Sequence, residues 1–226
     1  MHIEPGIVDG AKITLSYATA LGSLGLVGKV ALDTLKKDGV FSLLTRSLIT
    51  SLIVFCYFEV LPHYPVGVSE VHLIMGSTLF LLFGLAPTAI GLAAGLLLQG
   101  ALFAPADLPQ YGINLTTLLI PLFAMSALAN KVIPENTAYK DIKYGHALAL
   151  STAYQGGIIA WVAFWAFYGQ GFGAENVAQV ASFGAAYMTV IIIEPLVDLA
   201  ALAIAKTVHQ LQTSPLIEKR LYSAAS

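Results

Sequence analysis

The residues best equipped for chemistry are the first two of the chain, Met1 and His2, together with a distant histidine, His72. A free α-amine, the amide nitrogen of residue 2 and the His2 imidazole can close fused chelate rings around one metal ion. A fourth position in the same plane stays open. Three coplanar nitrogen donors suit Ni(II), Cu(II) or low-spin Co(II), since imidazole binds these ions and geometry discriminates among them better than raw affinity does. His72 is the candidate for the fourth donor. Retention of Met1 is expected, because histidine is too large for the usual removal of an initiator methionine. MHIEPGIVDG also lacks the basic segment and apolar core of a cleavable signal peptide.

Other polar residues in apolar surroundings could support such a site. Gln99 lies in the run Leu98-Gln99-Gly100, and Asn114 follows Gly112-Ile113. A metal-bound imidazole usually donates its second ring N–H to an oxygen, so either residue could orient His2 or His72; ordinary helix-to-helix hydrogen bonding is the competing reading. His63, between Pro62 and Pro65, reads as a solvent-exposed loop residue. Glu194 and Asp198 stand four residues apart around Pro195 in the last apolar run. They are read as bracing between helices, with proton coupling or a subunit contact as the alternative. The lone cysteine, Cys56, excludes an internal disulfide and reads as a small packed residue.

Several activities lack equipment. The stretch from Gly22 to Lys29 has the wrong spacing for a phosphate-binding loop and Val30 where Ser or Thr is needed. No nucleophile elbow, HExxH helix, paired CxxC or dinucleotide fingerprint occurs, so no enzyme is expected. A net charge of −2 offers no basic face for nucleic acid.

The elements that must position these residues are apolar. Of the 226 residues 57% are hydrophobic and 11% charged, and the mean hydropathy is +0.78. Such stretches need a hydrocarbon solvent, where about twenty apolar residues make one helical span. The fold class is all-α: a polytopic membrane protein in one domain, with a tip at 1–10, a bundle at 11–206 and a cytoplasmic tail at 207–226. Seven spans are expected, at 11–33, 41–62, 71–85, 87–104, 113–130, 145–168 and 177–206. Gly84-Leu85-Ala86-Pro87 makes a tight hairpin between the third and fourth. Ala18 and Gly22 in the first span, and Gly91 and Gly95 in the fourth, read as small residues packed inside the bundle.

Ten of the eleven Lys and Arg residues flank alternate connections, whereas those near 63–70, 105–112 and 169–176 hold none. The positive-inside bias therefore puts the N terminus outside and the C terminus inside, in a cytoplasmic membrane. Met1, His2, His63, Glu70, His72, Asp107 and Asn114 then share the outer face, and His146 and His209 fall on the inner side.

Several segments together resemble a known family. They are Met1-His2-Ile3 with a nearby acid, proline and glycine; Pro65-x-Gly67-x-Ser69; His72-Leu73 with Gly76; and the series Leu98-Gln99, Leu102-Phe103, Asp107-Leu108, Gly112 and Asn114. Glu194 in the last helix completes the set. The family is CbiM and NikM, the substrate-binding membrane subunits of energy-coupling-factor cobalt and nickel importers. Two positions depart from its pattern: Glu4 precedes Pro5, and the segment leading to His72 is one residue longer. The resemblance implies that Met1, His2 and His72 hold Ni(II) or Co(II) as cargo. It also implies a transmembrane coupling subunit, cytoplasmic ATPases and, in some assemblies, a small accessory membrane subunit. The rival readings are an autonomous proton-coupled permease using Glu194 and Asp198, and a membrane metal sensor or accessory protein.

Overall fold

A computed structural model describes residues 2–134 and 136–211. Met1 and the tail beyond Leu211 lie outside the described residues. The described residues form seven α-helices: α1 Ile13–Asp38, α2 Val40–Glu59, α3 Gly76–Phe83, α4 Leu85–Leu102, α5 Tyr111–Val132, α6 Tyr144–Gln170 and α7 Ala174–Leu211. Between α2 and α3 lies a small antiparallel hairpin, β1 Tyr64–Val66 and β2 Ser69–Val71. All helices except α3 are long and apolar enough to cross a bilayer.

The third expected span differs from the structure. Its first residue, Val71, ends β2, residues 72–75 are not helical, and Met75 takes a left-handed conformation at φ +50°. Only eight residues remain for α3, which reach about 12 Å against a hydrocarbon core of about 30 Å. At the other end of α3, Gly84 has φ +89° and joins it directly to α4, a conformation that glycine adopts without a Cβ penalty.

The bundle is organised around α5, which is buried on nearly every side through residues such as Leu115, Leu118, Leu119, Leu122 and Met125. Against it, α4 packs closely on α2. A Cβ on Gly91 would lie 2.4 Å from Thr50 Oγ1, and one on Gly95 2.6 Å from Val54 Cγ1. The Thr50 hydroxyl donates to the carbonyl of Pro87 at 2.6 Å. Gly91 and Gly95 thus lie at a helix contact, as expected. Ala18 and Gly22 do not: α1 buries Ser16, Ala20, Ser23 and Val27, at the i, i+4, i+7 and i+11 positions of one face, and turns Ala18 and Gly22 outward. Cys56 is likewise exposed. Leu21, Phe41, Leu44, Leu48 and Leu52 share that outer surface, which suits a hydrocarbon surround.

The chain's first residues, the hairpin, the loop before α5 and the α6–α7 turn gather at one end. Tyr17 donates to the carbonyl of Pro109, and Lys12 Nζ to that of Gly169 at 2.6 Å. A Cβ on Gly67 would lie 2.1 Å from the carbonyl oxygen of Gln179, near the start of α7. Lys206 is about 40 Å further along that helix at 1.5 Å per residue. There it donates to the carbonyl of Lys140 and lies over the Tyr144 ring.

Candidate metal centre

The register of two short pairings brings the histidines together. Within the hairpin Tyr64 faces Val71 and Pro65 faces Glu70, across a two-residue turn with Gly67 at φ +62°. That positive φ at the first turn position suits glycine. Ile3 then pairs with Ser69 on the free edge of β2. The Glu4 N–H donates to Val68 O, and the Glu70 N–H to His2 O. Around that antiparallel pair His2 stands opposite Glu70, on the same face. Glu70 and His72, two apart on an extended chain, share that face too. Continued by one residue, the hairpin register sets His63 beside His72, and their rings stack with centroids 4.8 Å apart.

The first residues are held in place by several contacts. The side chain of Ile3 packs with Val8, Ile113 and Trp165, and its N–H donates to Asn114 Oδ1 at 2.9 Å. Ser69 Oγ donates to the carbonyl of His2. Gln170 Nε2 donates to the carbonyls of Gly6 and Ile7. A Cβ on Gly169 would lie 1.9 Å from Ile7 O, so the chain passes directly over that glycine.

His2 and His72 are 4% and 1% exposed, so neither imidazole is rinsed by bulk water. Both contact the ring of Phe58, which is fully buried, with His2 at 5.4 Å and His72 at 5.1 Å between centroids. Glu70 Oε2 lies 2.8 Å from His2 Nδ1 and 2.8 Å from His72 Nε2. An ionised carboxylate only accepts, so both imidazoles must donate to it, which fixes Nδ1–H on His2 and Nε2–H on His72. The other ring nitrogens, His2 Nε2 and His72 Nδ1, are buried with no hydrogen-bond partner among the described residues.

Burial pushes the His2 and His72 imidazoles below their ordinary pKa, although the neighbouring carboxylate opposes this. Burial alone would push Glu70 up, but the hydrogen bonds from His2 and His72 outweigh it and hold the carboxyl well below its usual range. The resting site is therefore two neutral imidazoles around one carboxylate. Neutral imidazole is the metal-binding form, and an ion held by His2 Nδ1 and His72 Nε2 would replace the protons now shared with Glu70. Among the described residues, His2, Glu70 and His72 form a cluster whose ligand atoms all lie within 4.8 Å of one another.

Of the residues singled out in the sequence, His2 and His72 meet, and Met1 lies outside the described residues. Asn114 touches the backbone beside His2, and with Asp107 and Tyr111 it lines a cavity of about 10 Å³ next to the His2 ring. Gln99 is buried and bonds neither histidine. His63 is half-buried against His72, where a solvent-exposed loop residue was expected; its ring N–H donates to Leu61 O. Glu70 went unsingled as a ligand, although its position two residues before His72 in an extended stretch carried the signal.

Glu194 and Asp198 serve the segment that follows His72. Glu194 accepts from the N–H of Ile74 and from Gln155 Nε2, whose carbonyl oxygen accepts from Tyr187. Asp198 accepts from Ser77 and Thr78, in the first turn of α3.

Residues 2–211 match the family model described as the cobalt uptake substrate-specific transmembrane region, CbiM. The fold matches a crystal structure of a transition metal transporter with a TM-score of 0.68 at 16% identity, covering 98% of each chain. It also matches a truncated transition metal transporter with a TM-score of 0.65 at 16% identity, covering 94% of this chain and 99% of that one. No curated protein gives a significant match.

Proposed function

The chain belongs to the CbiM family of cobalt uptake transmembrane components, and we propose that it captures Ni(II) or Co(II) from outside as the substrate-specific subunit of an ATP-driven importer. The donors in this reading are the Met1 amine, the backbone nitrogen of His2, His2 Nδ1 and His72 Nε2. Within fused chelate rings the amide nitrogen sits between amine and imidazole, which leaves the position opposite the amide for His72. Late transition metals accept such a planar nitrogen set. A hard octahedral ion such as Mg(II) prefers oxygen and water.

The observation that carries the reading is that the buried His2 and His72 side chains direct Nδ1 and Nε2 at the same Glu70 oxygen, 2.8 Å from each, which brings both nitrogens within reach of one ion. Orientation rests on charge. The connections gathered at the histidine end carry no Lys or Arg, whereas Lys140 and Lys206 lie together far along α7. That bias supports the N terminus outside and the C terminus inside a cytoplasmic membrane. Energy would come from a transmembrane coupling subunit and cytoplasmic ATPases, with or without a small accessory membrane subunit. Equilibrium titration of the purified chain with Ni(II) and Co(II) tests the reading: about one ion per chain is expected, with binding lost or much weakened in His72→Ala. Equal affinity in that variant would overturn it.

A further inference from the structure

We propose that His63 is a relay ligand: its Nε2 takes the arriving ion first and passes it inward to His72. The inference rests on the reading that His72 holds the captured ion, and on no other donor.

The His63 ring lies over the face of the His72 ring, 14° from parallel with centroids 4.8 Å apart. Phe58 and His2 meet the same ring at steep angles, with centroids 5.1 and 5.2 Å away. Phe58 is fully buried, and His2 and His72 are 4% and 1% exposed, whereas His63 is half-buried and reaches water. Glu70 also reaches water beside His72, but its Oε2 is occupied by the two imidazole N–H groups. His63 offers a nitrogen that is not occupied. Its Nδ1 lies 3.2 Å from the carbonyl oxygen of Leu61. A carbonyl only accepts, so Nδ1 carries the hydrogen and the neutral ring keeps its lone pair on Nε2. No group among the described residues donates to that nitrogen.

Packing alone does not call for that arrangement. An apolar ring such as that of Phe58 would cover a histidine face equally well. A ring with one N–H tied to a backbone carbonyl and the other nitrogen bare is the usual setting of an imidazole that binds metal. The chain also fixes where the ring sits. Pro62 and Pro65 bracket His63, each with its φ locked by the pyrrolidine ring, and the hairpin register continued by one residue sets His63 beside His72. An ion held on His63 keeps water at its remaining positions and finds the next imidazole on the ring stacked beneath, so it changes ligands without crossing apolar space. A group that holds the ion only in passage lowers the barrier equally in both directions. It therefore speeds entry and release alike and leaves the affinity unchanged.

Stopped-flow mixing of the full chain with Ni(II) alone, followed by release of the bound nickel to a chelator, tests this in the native protein and in His63→Phe. Phenylalanine keeps a ring over His72 and removes the nitrogen. Association and release are both expected to slow several-fold, by the same factor, with equilibrium affinity and melting temperature unchanged. Rates equal to the native ones would reduce His63 to a stacking ring and overturn the proposal. Faster release with weaker binding would overturn it too, by making His63 part of what holds the ion at rest. If His63→Phe melts early, His63→Leu, which also lacks a donor, is read by the same two rates. Failure of the underlying reading is separable, since it would show as no bound nickel in the native protein or full binding in His72→Ala.

Discussion

The side-chain oxygen of Asn114, in the first turn of α5, accepts the backbone N–H of Ile3 at 2.9 Å. A core helix thereby holds the residue next to His2, and with it the amide that the proposed chelate needs. Both groups are buried. Asn114→Ala leaves that N–H unsatisfied at a cost of about 1–3 kcal/mol. Metal affinity is expected to fall about 10- to 100-fold, the usual effect of removing a group that orients a ligand. Asn114→Asp, which keeps an acceptor, is expected to lose much less. Metal titration alongside thermal unfolding checks both variants.

Gly169 bears on the same segment from another side. Because the Ile7 carbonyl sits where a Cβ would be, Gly169→Ala is expected to push residues 5–8 off the end of α6. Metal binding should drop sharply while the helical circular dichroism of the bundle is kept. A variant that binds metal as the native chain does would show that the tip tolerates another path.

Acid should loosen the ion-free site in two stages. The folded His2 and His72 resist protonation, whereas the unfolded imidazoles protonate near pH 6.5. Lowering the pH through that value therefore favours the unfolded state. Glu70 has a depressed pKa when folded, so its contribution is present above the unfolded value of about 4.3 and is lost below it. Thermal unfolding of the metal-free protein is expected to shift downward from about pH 6.5, with a further fall below about pH 4.5. The first stage should shrink in His72→Asn. A melting temperature flat between pH 7 and pH 5 would contradict the neutral-imidazole description.

Glu194 and Asp198 join α7 to the stretch immediately after His72. Replacing Glu194 by Gln removes an oxygen that accepts from Ile74 or Gln155 and should destabilise the protein by about 1–3 kcal/mol, weakening metal binding through displacement of His72. In cells with the partner ATPases, uptake is expected to continue when an uncoupler collapses the proton gradient and ATP is maintained. Uptake that stops with the gradient would favour a proton-coupled role for these acids.

The sequence and the structure agree most where residue type alone decides. Apolar runs bounded by Gly39, Gly84 and Gly171 became helices, and two histidines far apart in the chain came together. Which face of a helix turns inward was less legible. In a lipid surround the inward faces of α1 and α2 carry the small polar residues, Ser16 and Ser23 on α1 and Ser47, Thr50 and Ser51 on α2, whereas small size alone placed Ala18, Gly22 and Cys56 inside and they lie on the outward side. The third apolar run also misled, because hydropathy does not register that Tyr64–Val66 and Ser69–Val71 pair across Gly67. That pairing sets Glu70 and His63 against the site histidines, and it depends on strand register, which a search for twenty-residue spans does not see.

The most direct test of the central claim is the metal content and visible spectrum of the purified protein with its native Met1, beside a form carrying one extra residue before it. The extension moves the α-amine away while leaving His2, Glu70 and His72 unchanged. The native form alone is expected to retain about one nickel or cobalt ion per chain, with the extended form losing it. Equal metal content and identical spectra in the two forms would contradict the account, because the terminal amine could then have no part in holding the ion.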